Sequence, residues 1–235
     1  MKAPILNVED LSKSFDGLKL FERVNISLCP GTINSLFGSN GSGKTTFFNL
    51  IGGYDKPDAG RIHFEGLAIK FHNEFAIAKA GIGRMWQDPN VFPNHTVMQN
   101  LLVSAKSHPG EYFLNYVFKR SLIKKREVNL TDKACDVLQM FRLGGKSDQF
   151  AGSLSLGERK LLSISMLLMN DARLLLLDEP FSSVNPDTIE RISEVLVRLK
   201  QEGRTIFMIE HKIRFAEAIS DHQFKIENHG ITQLN

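Results

Sequence analysis

The run Gly38-Ser39-Asn40-Gly41-Ser42-Gly43-Lys44-Thr45 carries the strongest chemical signal in the chain. It matches G-x-x-x-x-G-K-[ST] in full, a spacing in which glycines let the backbone wrap with its N–H groups turned inward around phosphate oxygens. Lys44 is then the cation for the β- and γ-phosphates of a nucleotide, and the Thr45 hydroxyl is a ligand for Mg²⁺ beside the positive end of a following helix. Thr46, the next residue, belongs to the same nucleotide-binding set. A second signal is Leu174-Leu175-Leu176-Leu177-Asp178-Glu179, an apolar run that ends in two acids. Alone it is weak, because such a run is more often structural than catalytic. Joined to a phosphate loop it acquires chemistry: Asp178 holds Mg²⁺ through water, and Glu179 orients and deprotonates an attacking water.

These residues need a scaffold, and the surrounding texture supplies one. Short β-rich runs at 5–8, 24–28, 32–37 and 61–64 are separated by Asp16-Gly17 and Pro30-Gly31 and read as strands. Between Gly43 and Gly52, residues Thr46, Phe47, Leu50 and Ile51 recur at helical spacing, and Gly52-Gly53 gives a stop. Strand, glycine loop and helix therefore follow one another directly, which is the context the loop requires. From about Thr96 to Phe150 the pattern turns helical, with Val97, Leu101 and Leu102, then Phe113, Tyr116 and Val117, then Ala134, Val137, Leu138 and Phe141. Strand texture resumes at 173–177 and 205–209 around a helical segment at 187–200, a parallel β-α-β unit. The acidic strand is apolar throughout, as expected of a central strand whose carboxyl end opens into a ligand crevice. The basic and aromatic stretch 112–126, with Lys119, Arg120, Lys124, Lys125 and Arg126, reads either as a surface for anionic lipid or a membrane partner, or as a solvated helix face.

Composition narrows the class. At 235 residues, 42% hydrophobic and 23% charged, the chain has the balance of an ordinary globular domain without a large disordered tract. A net charge of +3 is too mild to indicate a nucleic-acid partner. Cys29 and Cys135 have neither disulfide-framework nor zinc-site spacing, which fits a reducing cytosol. The start lacks the apolar core of a signal peptide, and no apolar run approaches the roughly 20 residues of a spanning helix, so the chain is not expected to cross a membrane by itself.

The segment Leu154-Ser155-Leu156-Gly157-Glu158, ahead of the acidic strand, resembles the LSGGQ signature of ATP-binding cassette (ABC) ATPases. The resemblance covers nearly the whole chain. It implies an α/β fold, the P-loop NTPase fold of ABC ATPases, with a mixed or parallel sheet core flanked by helices, an N-terminal antiparallel β-subdomain and an inserted helical subdomain. The implied division is a core with β-subdomain over 1–88 and 151–235, and a helical insertion over 89–150. It also implies a sandwich dimer, in which Ser155, Gly157 and Glu158 grip ATP held by an opposing ATPase, identical or a sister chain. Phe15 stands where the family stacks an aromatic ring on adenine. Gln87 matches the glutamine that touches Mg²⁺ and the attacking water, Ser183-Val184-Asn185 resembles the D-loop, and His211 matches the switch histidine of the γ-phosphate. Lys44, Gln87, Glu179 and His211 are thus the implied catalytic residues, and Thr45, Gln87 and Asp178 the implied metal ligands.

Arg84-Met85-Trp86-Gln87, Asn185-Pro186 and Ile209-Glu210-His211 look most like the ATPases of branched-chain amino acid importers and their urea and amide relatives. The implied partners are transmembrane permease subunits and a soluble substrate-binding protein, with the chain peripheral on the cytoplasmic side of the inner membrane. Leu156 and Glu158 depart from the commonest signature, as Asn185 does from the aspartate of many D-loops. The chain stops soon after Ile231, so the C-terminal regulatory domain of some relatives is not expected. Two other classes stay open. A soluble cassette acting on ribosomes or DNA usually carries tandem cassettes or a long coiled-coil insertion, and a regulatory module that barely turns ATP over is favoured only by the Leu156 and Glu158 departures.

Overall fold

The computed structural model describes residues 3–106 and 120–234. The chain packs as two compact units, one of Met1–Gln87, Ala172–Ser182 and Ile192–Asn235, the other of Asp88–Asp171 and Ser183–Arg191. The insertion expected from the sequence spans 89–150, whereas the second unit begins at Asp88 and also takes in Ser183–Arg191. The second unit runs on past residue 150, because the helix that starts beyond Ser155 packs on helices of that unit.

The first unit contains two sheets. One is antiparallel in the order β2-β1-β4-β5, formed by β1 (Leu6–Phe15), β2 (Leu18–Leu28), β4 (Ala59–Phe64) and β5 (Leu67–Ala68). The other runs β10-β9-β3-β8-β7-β6, from β3 (Ile33–Phe37), β6 (Ile82–Met85), β7 (Leu174–Asp178), β8 (Thr205–Ile209), β9 (His222–Glu227) and β10 (Gly230–Leu234). It is parallel except for β10. β3, β7 and β8 are buried at every position and none alternates; β7 reads as an unbroken apolar run up to Asp178, whereas β3 buries Asn34 and Ser35 among its apolar residues. The β-α-β reading of 173–209 is borne out, with β7 and β8 paired in parallel.

β1 and β2 are longer than the alternation in the sequence suggests, and the reason is bulging. Their pairing shifts register between Val8 and Leu11, and Asp10 and Arg23 sit at φ 47° and 48°, so the period of two is broken mid-strand. The Asp16-Gly17 turn, at φ 48° and 82°, has both residues in the left-handed region, which suits a two-residue hairpin. Asn228-His229 does the same between β9 and β10 at φ 49° and 63°, without a glycine at either turn position.

Helix α1 (Lys44–Ile51) lies against this core. Phe47 and Phe48 are fully buried and meet Phe207 of β8 with ring centroids 6.3 and 5.1 Å apart. One apolar cluster takes Leu6, Val8 and Leu11 from the first sheet and Leu36, Leu176 and Phe207 from the second. Burial of that area is the main force fixing the loop before α1 in place. Helix α2 (Glu74–Ala80) is capped by Asn73, whose side chain accepts the Ala76 N–H.

The second unit is helical, with α3 (Val97–Val103), α4 (Arg120–Met140), α5 (Leu156–Met169) and the start of α6 (Pro186–Gln201), while α7 (Ile213–Glu217) belongs to the first. The spacing of Ala134, Val137, Leu138 and Phe141 is borne out, since all four are buried. Phe113, Tyr116, Val117 and much of the basic and aromatic stretch lie outside the described residues. Among the described residues, no helix is long and apolar enough to cross a membrane.

Candidate functional site

The phosphate loop connects β3 to α1. Gly43, the residue before the helix, has φ 98°, a conformation that glycine alone adopts freely, and an added Cβ there would lie 2.9 Å from Leu20 and Phe21 side-chain carbons. α1 therefore begins without a side-chain cap, and no acidic residue stands in its first turn. Its N-terminal N–H groups and the positive end of its dipole are left to a ligand. Lys44 folds back over the loop, donating from Nζ to the carbonyls of Gly38 and Ser39 at 2.9 Å each. Burial pulls its pKa down, opposed by the carboxylates of Glu179 and Asp178.

β3, β8 and β7 are neighbours and parallel, so their carboxyl ends reach one edge of the sheet. The phosphate loop follows the first, His211 the second and Glu179 the third. Glu179 is held at φ 49°, and a non-glycine residue in that region is a strained element of the kind that clusters at functional sites. Its Oε2 accepts from Gln87 Nε2 at 2.9 Å, and its Oε1 lies 3.2 Å from His211 Nε2. Asp178, one residue earlier, is 4% exposed. Burial raises its pKa and Glu179 adds to the rise, against the pull of Arg84 and Lys44. Arg84 Nη2 stands 3.6 Å from Asp178 Oδ2, Nη1 donates to Asn49 Oδ1 at 2.6 Å, and the guanidinium lies 3.6 Å from the Trp86 ring centroid.

A cleft of about 480 Å³ is lined by Phe15, Asn40, Gly41, Gly43, Lys44, Thr45, Thr46, Glu179 and His211 together with Leu20 and Ile209. Of the residues singled out in the sequence, these nine come together around one space. Phe15 is 45% exposed, with one face of its ring near Lys13 Nζ at 4.7 Å. Gly38, Ser39 and Ser42 complete the loop, with the Ser42 N–H donating to the Ser39 carbonyl at 3.2 Å. Gln87 and Asp178 join through their contacts with Glu179 and Arg84.

Ser155, Gly157 and Glu158 belong to the second unit. Ser155 caps α5 in a reciprocal box: its Oγ accepts the Glu158 N–H at 3.3 Å, and its own N–H donates to Glu158 Oε2 at 3.1 Å. Lys146 Nζ bonds Glu158 Oε1 at 2.6 Å. Burial pushes the Glu158 carboxyl up, but the Lys146 bond and the Ser155 N–H and Oγ together leave it lowered. Gly157 allows a close approach, since a Cβ there would meet Thr188 Cγ2 at 2.5 Å.

Arg84, Glu210, Lys146 and Asn100 also shape the two units, and the sequence by itself assigns none of them a role. Arg84 had a usable signal, a cation inside an otherwise apolar strand next to the acidic one. Glu210 had one too, an acid directly after a buried strand. Asn100 is fully buried and exchanges bonds with the Phe92 N–H and carbonyl at 2.8 and 3.1 Å, fixing the segment before α3. A polar residue on the apolar side of a helix was its trace in the sequence. Lys146 left no trace, because it meets Glu158 only through a 3₁₀ turn at Gly144–Lys146.

Comparison with known proteins agrees with this geometry. The family model described as ABC transporter matches residues 21–182. A probable branched-chain amino acid transport ATP-binding protein LivG of Archaeoglobus fulgidus is 37% identical, over 97% of this chain and 87% of that protein. The ribose import ATP-binding protein RbsA 2 of Streptomyces avermitilis is 30% identical over 90% of this chain, which spans 40% of that longer protein. Among solved structures, the ADP conformation of an ATP-binding cassette of an ABC transporter superposes with a TM-score of 0.84 at 34% identity, covering 98% of this chain and 90% of that one. The chain belongs to the ABC transporter family, as an ATP-binding and ATP-hydrolysing subunit.

Proposed function

We propose that the cleft between Lys44 and Glu179 is where this subunit hydrolyses ATP, with Glu179 as the general base. The observation that carries the reading is the convergence of Gln87 and His211 on the Glu179 carboxylate, on the wall of the cleft that Lys44 also lines. Phe15 offers its exposed ring to the adenine, and the loop from Gly38 to Thr46 takes the phosphates. Glu179 exchanges the Gln87 amide for a water, orients it in line with the γ-phosphate and accepts its proton. His211 and Lys44 face the charge that builds on the phosphoryl oxygens, at fixed positions that need no reorganisation during the reaction.

Thr45, Gln87 and Asp178 are oxygen donors of the kind Mg²⁺ prefers. Among the described residues, no group of three or more His, Cys, Asp or Glu is gathered as a metal cage, which suits an ion held by few side chains together with substrate phosphates. Held by these residues, Mg²⁺ would supply positive charge to offset that of the nucleotide's phosphates. The buried Asp178 stays fixed by Arg84 while Thr45 orients its hydroxyl from the first turn of α1.

At the level of the machine, the reading is a dimer in which Ser155, Gly157 and Glu158 of one ATPase, identical or a sister chain, close on the nucleotide of the other. Transmembrane permease subunits on the cytoplasmic side of the membrane take up the movement, and a soluble binding protein delivers cargo. Similarity to the LivG protein over nearly the whole chain favours import of branched-chain amino acids or of related urea or amide compounds. Glu179→Gln tests the catalytic core. Steady-state hydrolysis in the assembled complex should fall by about a hundredfold or more with ATP still bound, since a positioned base contributes 10²–10⁴. Unchanged turnover would remove Glu179 from the chemistry.

A further inference from the structure

One acid near the site has no part in the chemistry above. Glu210 follows β8 directly, is 2% exposed, and lies beside Ile209 and Phe181, which are 1% and 0% exposed. A carboxylate at that depth is costly to bury unless its oxygens receive hydrogen bonds. Oε1 accepts the Phe181 N–H at 2.6 Å, and Oε2 accepts the His211 N–H at 3.1 Å and the Lys212 N–H at 3.4 Å. The two oxygens therefore hold two different loops. Phe181 belongs to the tight segment after β7, where Ser182 donates from both N–H and Oγ to the Glu179 carbonyl at 3.2 and 3.0 Å. His211 and Lys212 belong to the segment after β8. The strands beneath are already joined, with Asp178 opposite Ile209 and the Glu179 N–H donating to the Ile209 carbonyl at 3.0 Å. Beyond that bond the sheet ladder ends, and Glu210 continues the connection between the loops.

We propose that Glu210 is a positioning residue for hydrolysis: its carboxylate fastens the backbone that carries Glu179 to the backbone that carries His211, so that the two side chains keep their 3.2 Å relation as one body. The proposal rests on the reading of Glu179 and His211 as the hydrolytic pair. It requires two acceptor oxygens. Glutamine at this position has nearly the same shape but presents an NH₂ to one of the loops, where a donor would face a donor. Aspartate keeps both acceptors but is one methylene too short to reach both loops fully.

The test uses the full chain as wild type, Glu210→Gln and Glu210→Asp. Two quantities are measured: hydrogen exchange of the Phe181 and His211 amides without nucleotide, and kcat and KM for ATP with magnesium in the assembled complex. In Glu210→Gln the Phe181 or His211 amide should exchange faster, and kcat should fall by about tenfold while KM moves by less than about twofold. Glu210→Asp should recover part of kcat, and it carries the test if the glutamine variant fails to fold. Unchanged exchange at both amides would overturn the proposal, as would a rise in KM that accounts for the whole loss. A wild-type assembled complex without ATP turnover would instead remove the proposed function, while the exchange of the two amides would still decide whether Glu210 joins the loops.

Discussion

Two helices of this chain begin at residues the sequence marks as nucleotide-binding, and they begin in opposite ways. α1 starts after Gly43 with no side-chain cap and no acid in its first turn. α5 starts after Ser155 with a complete capping box, its first-turn acid Glu158 bonded in turn by Lys146. A helix N-terminus attracts anions only as far as its N–H groups are free. The end of α1 is thus open to phosphate as it stands, whereas the end of α5 already holds a carboxylate. For Ser155 to touch a phosphate on another chain, its hydroxyl must leave Glu158, and the Lys146 bond keeps the displaced acid from meeting the phosphate as a bare charge. On the proposed reading, the difference separates a helix end open to phosphate in the isolated chain from one whose hydroxyl must first leave its cap.

The largest effect is expected at the open end. Lys44→Ala should weaken ATP binding by about a hundredfold or more, the loss of charge-assisted bonds worth about 3 kcal/mol, as read by equilibrium binding of labelled ATP. A similar loss from Ser155→Ala in the isolated chain would erase the distinction between the two ends. Ser155→Ala should instead leave ATP affinity of the isolated chain unchanged and cost about 1 kcal/mol of stability in denaturant unfolding through the lost cap.

The smallest effect is a pH dependence. Glu158 is lowered from the ordinary value of 4.5, so it contributes stability above that pH and loses it as the pH falls through its lower folded value. Because Glu158 is part-exposed, the amount is small. Glu158→Gln should keep an acceptor for the Ser155 N–H and flatten the acid limb of a thermal-melting profile below pH 4.5, leaving the profile near neutrality parallel to that of the wild type.

The open end was legible in the sequence for a physical reason. Its chemistry is contained in consecutive residues between a buried strand and a helix, so local spacing determines the geometry. The acidic strand was legible likewise, because full burial of β7 writes an unbroken apolar run that ends at Asp178. β5, β9, β10 and the short α2, β6 and α7 were not read. Several are too brief to show a period, and the β9–β10 hairpin turns on Asn228-His229, with Gly230 beyond the two turn positions rather than at one of them. The side-chain partners were harder still. Arg84 with Asp178, Lys146 with Glu158, and Glu210 with Phe181 are pairs made by the fold between elements, and a sequence carries only one member of each pair at a time.

The most direct measurement of the contrast is amide hydrogen exchange of the full chain, at concentrations that keep it monomeric, with and without ATP and magnesium. Added nucleotide should slow exchange at the first-turn amides of α1 and in the loop from Gly38 to Gly43, and leave the first turn of α5 unchanged. Protection at α5 without protection at α1, or at neither, would contradict the assignment of the open helix end as the seat of ATP binding.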